Sequence, residues 1–141
     1  MKYDLEHFVD AQEEEGYERV VGQLRRGRKT THWMWFVFPQ LGGLGSSSTS
    51  KRFAIRSLDE AAAYLQHSIL GPRLLECARI LAAIEGRSAV EIFGPVDSMK
   101  LRSSMTLFLR AAPSEPIFRE VLERYYSGEP DAATDQLLAQ A

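Results

Sequence analysis

Cysteine occurs once in the 141 residues, at Cys77. One thiol closes no intramolecular disulfide, which excludes a staple-dependent secreted scaffold and fits a reducing compartment. Histidine occurs three times, at His7, His32 and His67, too scattered for a zinc pattern, so no metal and no cofactor are expected. The longest uninterrupted apolar run, Trp33 to Phe38, falls far short of the ~20 residues that span a bilayer. The amino terminus is acidic within a few residues and has no apolar stretch of the kind a secretory signal needs. These absences lead us to expect a cytoplasmic protein with no membrane partner. Neither sign of charge dominates: 17 Lys and Arg stand against 19 Asp and Glu, a formal charge of −2. No global basic excess points to nucleic acid. Glycine and proline, at ten and six, are too few for a collagen-like or low-complexity chain.

What is present is an ordinary globular composition, 45% hydrophobic and 26% charged. A chain this long buries roughly two thirds of the surface it exposes when unfolded, enough for a core without staples. No internal repeat or linker interrupts it, so residues 1–141 are expected to form one domain.

The apolar spacing is helical almost throughout. From Asp4, an acceptable N-cap, to about Lys29 the pattern predicts helix, bent near Gly16. Tyr17, Val20, Val21 and Leu24 form an i, i+3, i+4, i+7 stripe there, with Glu13 to Glu15 near the start and Arg25, Arg26 and Arg28 at the end. The run from Trp33 to Phe38 fits a short buried helix, capped by the Thr30–Thr31 pair and ended by Pro39. Leu41 to Ser50 reads as a loop on composition. Ser57 with Glu60, and Ser88 with Glu91, have capping-box spacing. Gly71-Pro72 stands at a helix start and Gly86 at its end. Gly94-Pro95 closes a short helix, and Asp97 can cap the next one, which carries Leu101, Met105, Phe108 and Leu109. Ser114 precedes a stripe of Ile117, Phe118, Val121, Leu122 and Tyr125, and Asp131 opens a last helix. No period-2 strand survives. The expected class is all-α, a compact orthogonal array of about six to eight short helices.

Three stretches carry residues able to do chemistry. Trp33 and Trp35 lie beside His32 and ahead of Gln40; the plain reading is a hydrophobic plug, the functional one an indole face lining a pocket. His32 is either a hydrogen-bonded structural residue or a proton carrier, and a Gln40 amide after a buried aromatic run must find partners. The loop from Gly42 to Ser50, followed by Lys51 and Arg52, offers amides, hydroxyls and cations to an anion, although it lacks the order of a P-loop. Asp97, Lys100 and Ser104 share one helix face by spacing, flanked by Ser103 and Thr106. A surface ion pair is the plain reading; hydroxyls placed where an apolar stripe belongs give the functional one. Arg25 to Lys29 is the one basic cluster, read as a solvated helix end or, less favourably, as a nucleic-acid footprint.

His32-Trp33-Met34-Trp35-Phe36-Val37-Phe38-Pro39-Gln40, followed by Gly43-Leu44-Gly45-Ser46, resembles the signature of a family of small bacterial proteins known as domain of unknown function 1810. Phe53-Ala54-Ile55, Glu60-Ala61, Ala63-Tyr64-Leu65, Leu70-Gly71 and Arg73-Leu74 are similar to further blocks of that family. So are Ile92-Phe93-Gly94, Asp97, Lys100-Leu101 and Ser103 to Phe108. The blocks run from about residue 4 to 138. Some members carry a calpastatin-like label, but an inhibitor of that sort is disordered whereas this composition packs a core. The resemblance implies a compact helical domain and no established activity. Carried over as candidate site residues, its motif positions are His32, Trp33, Trp35, Gln40, Ser46, Arg73, Asp97, Lys100, Ser104 and Thr106. Ser47-Ser48-Thr49-Ser50 departs from the family pattern.

The resulting expectation is a small-molecule pocket. His32 to Ser46 and Asp97 to Thr106 meet across the array, with indole as a stacking face, Lys100 and Arg73 neutralising an anion, and Gln40 with Ser104 orienting it. A nucleotide-like or other phosphate-bearing ligand suits that set. Were there a reaction, Asp97 or His32 would be its acid or base. The alternative is an interaction module anchored by the tryptophans. Binding of nucleic acid through Arg25 to Lys29 ranks third.

Overall fold

A computed structural model describes residues 3–140. Among these residues the chain forms nine helices: α1 (Glu6–Glu15), α2 (Tyr17–Arg25), α3 (Met34–Val37), α4 (Ser48–Arg52), α5 (Leu58–Gln66), α6 (Leu70–Ala83), α7 (Ala89–Ala111), α8 (Pro116–Tyr126) and α9 (Ala132–Ala139). The all-α expectation holds. One isolated parallel bridge, Leu41 with Ile55, stands in place of a sheet.

Local chemistry accounts for most boundaries. Gly16, at φ 92°, separates α1 from α2, as its position predicts. Ser88 and Glu91 form the expected capping box at the start of α7. Gly94, at φ 83°, breaks α7 into two segments, and Pro95 then opens the second. Asp131 caps α9, accepting the Thr134 N–H at 3.0 Å.

Several expected boundaries are corrected. α2 ends at Arg25 rather than near Lys29, because Gly27 turns left-handed (φ 70°) and the Arg28 N–H returns to the Gln23 carbonyl. Neither Thr30 nor Thr31 caps α3. The cap position is Trp33, while the Thr31 hydroxyl donates to Glu15 at 2.7 Å. The loop expected through Ser50 winds into α4 at Ser48, where Ser47 accepts the Ser50 N–H; five residues are too few for periodicity to register. Ser57 caps α5, but Glu60 turns its carboxylate to the Arg56 N–H and guanidinium, so the box is half made. Asp97 lies past the start of its segment and pairs with lysines instead of capping. Glu115, the residue after Ser114, caps α8 by accepting the Ile117 N–H at 3.1 Å.

α7 is the hub, packed against α3, α5, α8 and α9, while α6 packs against α2, α5 and α8. Phe8, Trp33, Phe38, Tyr64, Phe108 and Phe118 are fully buried in one continuous core. Trp33 lies edge-on to Phe93 at 6.3 Å, and Phe108 joins Tyr64 to Phe118. Burying each such ring contributes about 2–3 kcal/mol. The chain leaving this core at Gln40 is tied to the next segment by two backbone bonds: Ile55 N–H to the Gln40 carbonyl at 2.9 Å, and Gly42 N–H to the Ile55 carbonyl at 2.8 Å.

Candidate functional site

α3 turns Met34 and Val37 into the core and leaves Trp35 half-buried at its outer edge. Across from it, the second segment of α7 carries two different stripes. Leu101, Met105 and Phe108 face the core. Val96, Met99, Lys100 and Ser103, spaced i, i+3, i+4, i+7, line a cleft of about 280 Å³ with Trp35, Gln40, Leu44, Asp131 and Ala133. A second, more enclosed hollow of about 140 Å³ adjoins it, between the 41–45 loop, Ser50, Lys51 and Phe53. Trp35, Gln40 and Leu44 line both, so they form the wall between two lobes.

A charge network stands behind that wall. The Lys100 ammonium lies 3.9 Å from the centre of the Trp35 ring and 3.3 Å from Asp97 Oδ1. The other Asp97 oxygen takes the Lys29 ammonium at 2.8 Å, and that ammonium is 5.2 Å from the Trp33 ring. The Lys29 side chain is only 8% exposed, so its pairing with Asp97 is close to obligatory. Asp131, at the start of α9, also lines the cleft. Its Oδ2 accepts the Thr134 N–H, the Thr134 hydroxyl at 2.6 Å and the Ser103 hydroxyl at 3.2 Å. Gln40, 9% exposed as a residue, makes no side-chain hydrogen bond to any described residue, and its amide atoms reach solvent in the cleft. No group of three or more His, Cys, Asp and Glu side chains suited to a metal ion occurs among the described residues.

The family model described as Protein of unknown function (DUF1810) matches residues 2–138. This chain belongs to the DUF1810 family. The DUF1810 fold is also seen in the crystal structure of the conserved hypothetical protein Rv1873 from Mycobacterium tuberculosis. That chain is similar at 55% identity over 99% of each chain, with a TM-score of 0.95. No curated protein matches the chain.

Of the positions singled out in the DUF1810 sequence, the structure brings Trp35, Gln40 and Lys100 together at the cleft, with Asp97 directly behind Lys100. The others lie elsewhere. Trp33 is a core residue, 1% exposed, whose indole N–H donates to Gln23 Oε1 at 2.8 Å. His32 and Ser46 are exposed and line neither lobe. Thr106 donates to the Arg102 carbonyl and accepts the Asp131 N–H, both at 2.8 Å, docking the start of α9 on α7. Ser104 is fully buried with its hydroxyl unpartnered. Arg73 belongs to a separate network: it stacks on Tyr17, donates to Gln12 Oε1 at 3.1 Å and pairs with Glu13. Beside it, burial pushes the Cys77 thiol up to about 12 and raises the Tyr17 phenol as well. In the basic cluster Arg25, Arg26 and Arg28 are exposed, while Lys29 turns inward to Asp97.

Val96, Met99 and Asp131 were not among the site candidates, whereas Lys51 was, as a cation following the Gly42–Ser50 loop. One signal for the first two was in the sequence: the 96, 99, 100, 103 stripe runs alongside the core stripe of the same helix, and a helix burying one face has no need of a second. Asp131 gave none beyond its capping role.

Proposed function

We propose that this chain acts as one domain binding a small phosphate-bearing or similarly anionic molecule in the two-lobed cleft between α3, the 40–45 loop and α7. The observation that carries this reading is Gln40. Its side-chain amide has no partner among the described residues, keeps contact with solvent, and stands where the two lobes meet, so a donor and an acceptor are free for a ligand there. A ligand supplies the missing partners. Lys100, fixed over Trp35 by Asp97, presents a donor without the entropy of a free lysine.

A thermal-shift screen against nucleotides and sugar phosphates tests it. A compound at 100 times its Kd adds about 2.7 kcal/mol of stability, a rise of several degrees in Tm. That rise is expected for at least one of them and is expected to vanish in Gln40→Ala and Lys100→Ala. No rise from any compound, with both variants equally indifferent, refutes the reading.

One observation favours a second reading, a protein-interaction surface. Among the described residues Val96 and Met99, at 65% and 70%, are the most exposed of the large apolar side chains, and both line this cleft. Concentration-dependent mass in sedimentation, lost in Met99→Glu while ligand stabilisation is absent, is the result that favours it.

A further inference from the structure

The two lobes differ in what they leave unsatisfied, and the difference gives the ligand a direction. In the larger lobe the charges cancel. Its lining holds one cation, Lys100, and one carboxylate, Asp131, while Asp97 behind it pairs with both Lys29 and Lys100. That lobe offers no net attraction to a phosphate. What it does offer is an acceptor: Asp131 Oδ2 takes three donors, whereas Oδ1 takes none from any described residue. A carboxylate oxygen at a cleft wall recruits hydroxyl or N–H donors. The smaller lobe has the opposite character. Lys51 is its one ionisable side chain, no carboxylate lines it, and the N–H groups of Gly43 and Gly45 make no hydrogen bond to a described residue. Gln40 stands between the two with an amide that both donates and accepts.

Resting on the ligand reading above, we infer that the cleft binds a phosphomonoester of a hydroxyl-bearing body, a sugar phosphate or a nucleoside monophosphate. Its phosphate lies against Lys51 and the 42–45 backbone, and its hydroxyls face Asp131. Val96 and Met99 then border the end of the ligand farthest from the phosphate. The hydroxyls are the selective feature: a deoxygenated analogue covers the Asp131 carboxylate oxygen without giving it a donor, and so loses a charge-assisted hydrogen bond that the hydroxylated ligand makes.

Isothermal titration calorimetry with AMP, 2′,3′-dideoxy-AMP and ribose 5-phosphate tests this. AMP is expected to bind about tenfold or more tightly than its dideoxy analogue, the effect of losing a hydrogen bond to a charged partner. Asp131→Asn retains the oxygen that caps α9, so Tm is unchanged while the preference collapses toward unity. Lys51→Ala is expected to weaken both nucleotides by the same factor and so leave the ratio intact. Ribose 5-phosphate, which lacks the base, is expected to depend on Asp131 and Lys51 in the same way. Equal affinity for the two nucleotides overturns the orientation, as does a preference that survives Asp131→Asn or a ribose 5-phosphate affinity indifferent to both variants. In those cases loss of binding in Gln40→Ala still upholds the cleft itself. Absence of binding by all three probes, with no hit in the wider screen, removes the cleft reading and the orientation together.

Discussion

Gln23 gathers the turn between α2 and α3 onto a single side chain. Its Oε1 accepts the Trp33 indole N–H at 2.8 Å, the Thr30 N–H at 2.9 Å and the Thr31 N–H at 3.3 Å, and its Nε2 donates to the Thr31 hydroxyl at 2.8 Å. The side chain is 1% exposed. Gln23→Met keeps the volume but removes the acceptor, leaving a buried indole N–H unpaired at a cost of about 3 kcal/mol. Urea denaturation followed by tryptophan fluorescence is expected to show that loss; a midpoint within error of the parent would show that the bonds carry no net weight. The same residue explains a limit of sequence reading. Trp33 and Trp35 have equal claims in the chain, two positions apart in one aromatic run. Only Gln23, ten residues upstream and brought round by α2, decides which indole is held in the core and which is left for the cleft.

At the scale of elements, close approach decides more than propensity. Gly71 lies in the first turn of α6 against the end of α5, and a Cβ there would come 2.0 Å from the Leu65 carbonyl oxygen. Gly71→Ala is therefore expected to push α6 off α5 and lower stability by about 2–3 kcal/mol, even though alanine is the better helix former. A raised Tm for that variant would show that the contact relaxes freely. The sequence placed Gly71 at a helix start from its neighbour Pro72, but nothing in the chain announces a carbonyl six residues earlier. The long elements were legible for the reason that long amphipathic segments usually are: α6, α8 and the second part of α7 repeat their apolar stripe often enough to be unmistakable. α4 was missed because one turn cannot display a period. The caps at Asp131 and Ser88 were readable, whereas Glu60 and Asp97 were drawn away from capping by the guanidinium and the lysines that the fold sets beside them.

The whole molecule stores protons on buried acids, and its stability follows. Burial holds the Cys77 thiol at about 12 against an ordinary value of 9.0, and raises the phenols of Tyr64, Tyr17 and Tyr126 in the same sense. Below pH 9 folded and unfolded chains keep the thiol proton alike. Between pH 9 and 12 the unfolded chain releases it first, so stability is full below 9 and falls as pH rises through that window. The urea midpoint is expected to decline from pH 9 to 11, less steeply in Cys77→Ala, and the folded thiol to resist a disulfide reagent at pH 8. A flat midpoint across that range, or rapid labelling of native protein, contradicts the burial described for Cys77.

The amino-acid sequence by itself determined that this chain is helical, where most helices begin and end, and which family it belongs to, because periodicity, caps and a specific aromatic block are local properties of the chain. It also marked Trp35, Gln40 and Lys100. Which of the marked residues share a site was settled by tertiary structure alone. Arg73 and Lys100 are equivalent as isolated cations; one stacks on Tyr17 and the other on Trp35 because α6 and α7 carry them to different faces. Charge balance, unpaired acceptors and the partition of a cleft depend on distances between segments some 60 to 90 residues apart, and no pattern along the chain encodes those distances.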